Sequence, residues 1–162
     1  MTVAAAHGDA RLYEALTAAA DRISSPEEHY RYLNALTAFR DPALIERALE
    51  ETRSRVRNQD TALYLGRFFE NPAARDRAWA FIKESWSDLE PKLRIAFGEG
   101  RVVGAVAAFC DARTRDDIRA FFTAHPLSSA TRALSESLER IDNCIALREK
   151  QTPLLTEWLG NQ

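Results

Sequence analysis

Apolar residues recur along this chain at spacings of three and four, the signature of helices that turn one face inward. Leu12, Leu16, Ala19 and Ile23 form a first stripe; Tyr32, Leu36 and Phe39 a second; Ile45, Ala48, Leu49, Thr52 and Val56 a third. Leu65, Phe68 and Phe69 follow, then Trp79, Ile82, Trp86 and Leu89, then Val102, Val106 and Phe109. Ile118, Phe121 and Phe122, then Leu134, Leu138, Ile141 and Ile145, and finally Leu154, Leu155, Trp158 and Leu159 complete the series. These stripes predict an all-α chain of about eight or nine helices. Val102 to Cys110 is the one run with some β character, but Gly104 and small residues replace alternating polar ones, so it too reads as helix.

Punctuation supports the same division. Ser25-Pro26, Asp41-Pro42, Asn71-Pro72 and Thr152-Pro153 each place proline after a residue able to cap a helix, and so predict four helix starts. Ser25-Pro26-Glu27-Glu28 has the form of a capping box, and Thr114-Arg115-Asp116-Asp117 is a weaker version. Short connections place consecutive helices antiparallel and adjacent, with pairs arriving about every 35 to 40 residues, the spacing of HEAT and armadillo solenoids. The expected architecture is therefore an α-solenoid of antiparallel helix pairs, one domain over residues 9–162, with residues 1–8 a disordered or added start ahead of it.

Composition narrows the functional classes. With 24 acidic and 22 basic side chains and a net charge of -2, neither nucleic acid nor a membrane surface is an expected partner. Met1 to Ala10 is alanine-rich without a basic segment leading into an apolar one, which does not read as a signal peptide, and the expected location is cytoplasmic. Cys110 and Cys144 each lie inside an apolar helical pattern and read first as buried free thiols, with a disulfide or a reactive thiol as the other readings.

No catalytic constellation emerges. The sequence has no His-Glu-x-x-His, no Cys-x-x-Cys, no Gly-x-Ser-x-Gly and no glycine-rich phosphate loop. Glu28-His29 offers two metal-ligand types, but adjacent helical positions point about 100° apart, so an ordinary solvated pair is the simpler reading. Asp116-Asp117 suits the first turn of a helix, where the dipole favours negative charge. Arg53, Arg55 and Arg57 are the densest positive cluster; at a helix carboxyl end they are favourable in themselves, and a guanidinium can also grip a carboxylate with two parallel hydrogen bonds. The tryptophans and paired phenylalanines sit at core spacing.

One ordered set of residues is more particular. Arg57-Asn58-Gln59-Asp60, an apolar helix, Asn71-Pro72, Arg75 and Ala78-Trp79-x-Phe81-x-x-x-x-Trp86-x-x-Leu89 resemble the C-terminal helical domain of the M1 family of zinc aminopeptidases, the type also found in the endoplasmic-reticulum aminopeptidases. Asp117-Ile118-x-x-Phe121-Phe122, the Ala133-to-Ile145 segment and Trp158-Leu159 look like that domain's later helices, so the resemblance covers about Tyr13 to Leu159. It implies a helical bowl that closes over an active site and shapes peptide access, with no catalytic or metal-binding residue in this chain. The zinc and the motif holding the substrate amino terminus belong, in the family, to a separate thermolysin-like domain, and the implied partners are that catalytic domain and peptide substrate. Arg57, Gln59 and Asp60 match the family's turn motif and are the implied substrate-binding or interdomain positions; a structural role, with Asp60 capping the next helix and Arg57 tying repeats together, is equally consistent with their residue types. Glu70 and Asn71 stand where certain relatives carry basic residues. A freestanding solenoid adaptor for a protein partner is the alternative, and an exposed repeat edge would favour self-association.

Overall fold

The computed structural model describes residues 1–95 and 98–161. Ten α-helices and no strand occur among them: α1 (Thr2–Ala6), α2 (Ala10–Arg22), α3 (Pro26–Leu36), α4 (Pro42–Ser54), α5 (Thr61–Glu70), α6 (Arg75–Glu84), α7 (Trp86–Leu93), α8 (Gly98–Ala105), α9 (Ala112–Ala124) and α10 (Thr131–Gly160). Single 3-10 turns, Asn58–Asp60 and Val106–Ala108, follow α4 and α8. The all-α class expected from the spacing is observed. The chain divides into two compact units, Met1–Val102 and Val103–Gln162.

In the first unit, α2 packs along α3 and α3 along α4, while α5 meets α4, α6 and α7. Asp9 starts α2 by accepting from the Leu12 amide at 3.0 Å, and Asp41 starts α4 by accepting from Ala43 and Leu44 at 2.9 and 3.1 Å; each satisfies an amide that the helix itself leaves unpaired. The core joins Tyr13 to Phe39, ring centroids 5.3 Å apart, and Tyr64 edge-on to Phe68 at 5.5 Å. Leu33, Leu36, Leu49, Leu65, Phe81, Ile82 and Leu89 fill the space around them and are fully buried. α1 lies against α3, and Ala5 has no exposed surface.

Several expected boundaries shift. Ser25 precedes α3 but makes no side-chain cap, so the capping box does not form. Asn71-Pro72 enters α6 through one turn: Asn71 Oδ1 accepts from the Ala73 amide at 3.1 Å and its carbonyl from Ala74 and Arg75 at 3.0 Å, residues 72–74 turn, and α6 starts at Arg75. The Trp79-to-Leu89 stripe is two helices, broken at Ser85, whose hydroxyl accepts from Arg53 at 2.8 Å.

In the second unit, α9 packs on α10, and Ile118, Phe122 and Ile141 are buried. Asp111 caps α9, accepting from Thr114 at 2.8 Å, so the expected cap at Thr114 lies a turn too late. Thr152-Pro153 begins nothing: Pro153 lies inside the 30-residue α10, which joins the last two sequence stripes into one helix. Proline's fixed φ fits a helix, and the cost is one missing backbone donor. Cys110 and Cys144 form a disulfide, 5.4 Å between α-carbons, and are not the free thiols first expected; α9 doubling back toward α10 brings the two positions together. No described helix is long and apolar enough to cross a membrane.

Candidate functional site

The Arg57–Asp60 corner is built where α4 ends and α5 begins. Arg55 is the last residue near helical backbone, Val56 is buried as an anchor, and Arg57 is extended, which turns the chain into the 3-10 turn Asn58–Asp60. The Arg57 amide donates to the Tyr30 hydroxyl at 2.9 Å. Its guanidinium Nε donates to Asp60 Oδ2 at 2.7 Å and its Cζ lies 5.0 Å from the centre of the Tyr30 ring. Thr61 Oγ1 donates to the Arg57 carbonyl at 3.3 Å. One arginine thus ties α3, through Tyr30, to the entry of α5. Burial lifts the Tyr30 hydroxyl above its ordinary value, while the Arg57 amide pulls it the other way. Asp60 raises the already high value of Arg57. Gln59 is exposed at the tip.

The three arginines do not converge on one anion site. Arg53 pairs with Glu50 at 3.1 Å, donates to Ser85 and lies over the Phe81 ring at 5.3 Å. Arg55 binds Asp21 and approaches Glu51 at 3.5 Å. Arg57 takes Asp60. Each positive charge is matched by a different carboxylate, Asp21 on another helix for Arg55 and carboxylates three residues away for Arg53 and Arg57, so the cluster seen in the sequence is three separately paired arginines.

Glu28-His29 is not the solvated pair expected. His29 Nδ1 donates to the Ala20 carbonyl at 2.9 Å, which fixes the carboxyl end of α2 to the start of α3 and takes that nitrogen out of any ligand role. Among the described residues no three His, Cys, Asp or Glu side chains gather in a way that could hold a metal ion.

A feature that sequence reading did not find is a half-open cavity of about 210 Å³, lined by Thr2, Asn34, Arg40, Arg67, Glu70 and Asn71 among others. Asn34 Oδ1 and Arg67 Nε are buried there without a protein partner, an acceptor and a donor in one recess. Such a pair suits a group offering both a donor and an acceptor, such as a peptide amide or water. Its lining comes from three segments, residues 2–6, 34–40 and 67–72, so no local pattern announced it.

Comparison with known proteins gives a consistent family. The model of the ERAP1-like C-terminal domain matches residues 1–143. The chain is 29% identical over 131 residues to aminopeptidase M1 of Arabidopsis thaliana, covering 80% of this chain and 15% of that protein. It is 23% identical over 124 residues to probable aminopeptidase 1 of Saccharolobus solfataricus, 74% of this chain and 16% of the relative. It is 27% identical over 107 residues to endoplasmic reticulum aminopeptidase 2 of Bos taurus, 64% of this chain and 11% of the relative. The alignments span at most 16% of these relatives' own lengths.

Proposed function

The chain belongs to the family of ERAP1-like C-terminal domains, and from that premise we propose that it is the access-shaping helical domain of an M1-type zinc aminopeptidase, with no reacting group of its own. The observation that carries this reading is the family match, which runs through both compact units from residue 1 to residue 143. The zinc belongs to the catalytic domain, and among the described residues no group of three His, Cys, Asp or Glu side chains gathers to hold one. In this reading the helix pairs of the first unit stack as solenoid repeats, and the surface they form faces the catalytic domain and its peptide substrate. Closure of such a domain raises the rate by excluding water and holding substrate, without a proton or nucleophile supplied from it.

Within that function Arg57 and Asp60 act as a brace that holds the α4–α5 corner against Tyr30, and exposed Gln59 is the member of the motif that meets the neighbouring domain or the peptide. The test has two arms. The purified chain, assayed for zinc and for release of amino acids from aminoacyl amides, should be inert. Added in trans to the zinc-containing portion of an M1 aminopeptidase lacking its C-terminal domain, it should bind and change the ratio of long-peptide to short-peptide cleavage. Stoichiometric zinc with amino-acid release from the chain alone, or no association with the catalytic portion, overturns the reading. In the reconstituted enzyme, Gln59→Ala should alter peptide-length preference without lowering the melting temperature, whereas Arg57→Ala should lower it.

A further inference from the structure

The last helix outruns the body it belongs to. Thr131–Gly160 spans 30 residues, about 45 Å at the α-helical rise, yet its buried residues are Ser137 and Ile141, both in the first half. From Ala146 onward every described residue is exposed. Leu147, Leu154, Leu155, Trp158 and Leu159 are between 55% and 59% exposed, so the final sequence stripe, expected to be core, is bare. This segment also lies beyond residue 143, where the family match ends.

The exposed residues are ordered. At about 100° per residue, Leu147, Leu154 and Trp158 fall within roughly 40° of one another, and Leu155 and Leu159 widen the stripe to about 140°, the width of a helix face that packs on something. Glu149 and Pro153 lie on the opposite side, while Lys150 and Glu157 flank the Leu154 edge of the stripe, roughly 40° to 60° beyond it. An isolated helical stretch this short is marginal in water, and Pro153 removes one of its backbone hydrogen bonds. A stable helix here therefore needs its apolar face covered.

We propose that the end of α10 is a self-association surface on which a second copy of the chain packs antiparallel. Leu147, Gln151, Leu154 and Trp158 follow one another at spacings of four, three and four, the seam of a two-helix coil. With the two-fold axis between Thr152 and Pro153, Leu147 faces Trp158 of the second copy and Leu154 faces Gln151 of the second copy. Lys150 and Glu157 flank the same side of this seam, so the antiparallel arrangement brings Lys150 to within about 3 Å, along the axis, of the level of Glu157 of the second copy, twice. A parallel arrangement would instead put the flank carrying Lys150 and Glu157 against the flank carrying Arg148 and Leu155, where Lys150 and Glu157 do not meet, so the charges choose the antiparallel pair. The surface is self-complementary, as a two-fold interface must be. Gln151 at the seam fixes the register, and Pro153 lies on the outer face, where its missing donor does not meet the partner. This inference is independent of the peptidase reading.

Sedimentation equilibrium of the whole chain across about 1 to 200 μM should show a monomer–dimer equilibrium. Trp158→Glu should raise the dimer dissociation constant by about 100-fold or more, with unchanged near-ultraviolet circular dichroism of the buried Trp79 and Trp86 as the control for folding. Glu157→Lys should weaken the dimer, and adding Lys150→Glu should restore it, because the swapped charges again face each other only in the antiparallel arrangement. A folded chain that remains monomeric at the highest concentration overturns the proposal. So does a dimer indifferent to Trp158→Glu, a charge swap that fails to rescue, or a Trp158 emission shift with phosphatidylcholine vesicles in place of dimerisation.

Discussion

The side-chain amide of Asn71 donates to the carbonyl of Phe39 at 2.8 Å, across 32 residues of sequence. The same nitrogen reaches the Thr37 carbonyl at 3.0 Å, and Asn71 Oδ1 accepts from the Ala73 amide at 3.1 Å. One nearly buried side chain thereby satisfies two carbonyls of the turn that follows α3 and shapes the turn before α6. Asn71→Ala strands two buried carbonyls and should cost about 2–3 kcal/mol by urea unfolding at neutral pH. Asn71→Asp sets a carboxylate against those carbonyls and should be at least as damaging at neutral pH, with partial recovery in acid, where the carboxyl regains one donor. Equal stability of Asn71→Asp and wild type at neutral pH would show that the amide donors contribute nothing.

The start of α9 allows a direct contrast between two neighbouring residues. Asp111 accepts from the Thr114 amide at 2.8 Å, while Thr114 lies inside the first turn. Asp111→Ala should therefore destabilise the second unit by about 1 kcal/mol, and Thr114→Ala by no more than a few tenths. Chemical denaturation of the two variants in parallel measures the difference; the reverse order would return the cap to Thr114.

The contrast shows what was legible in the sequence. Apolar spacing is a local property, so the helical class and most stripes could be read directly, and Asp41-Pro42 declared its helix because cap and proline act within one turn. Asn71-Pro72 and Thr152-Pro153 carry the same local signal with different outcomes: Asn71 opens the turn that leads into α6 while its amide is held by carbonyls of a distant turn, and Pro153 is tolerated within a helix already under way. Leu154, Leu155, Trp158 and Leu159 have the spacing of a core but are more than half exposed among the described residues, and spacing records periodicity, not company. The Arg57–Asp60 turn was visible as a motif, whereas its anchor Tyr30 and the cavity joining Asn34 to Arg67 depend on contacts between separated helices.

The Cys110–Cys144 bond closes a loop with a sequence separation of 34. Chain entropy for a loop of that size corresponds to about 3–4 kcal/mol of stability, through restriction of the unfolded chain. The oxidised protein should show no thiol titratable under denaturing conditions and two after reduction. The double variant Cys110→Ser/Cys144→Ser should unfold at lower urea concentration, and reductant should destabilise wild type but not the variant. In a reducing compartment the protein would carry both thiols and the lower stability. Two titratable thiols in the carefully oxidised protein would contradict the bond.

Glu51 supplies a pH dependence of unusual sign. Its side chain is 14% exposed, with Arg55 Nε at 3.5 Å. Burial pushes its carboxyl above the ordinary range, Arg47 pulls it down and Glu14 pushes it further up. A carboxyl whose folded value exceeds its unfolded one binds its proton more tightly in the native state. Its contribution is therefore most favourable in acid and is lost as the pH rises through the folded value. The stability of wild type relative to Glu51→Gln should fall as the pH is raised from about 4 to 7, measured by urea unfolding of both proteins at each pH. Asp116, held below its ordinary value by the hydrogen bond from Arg115, carries the opposite dependence, so Asp116→Asn serves as the control. Its wild-type advantage should be present at neutral pH and fade in acid. A Glu51 difference that grows toward neutrality would instead mean that attraction to Arg47 and Arg55 outweighs the burial of the charge.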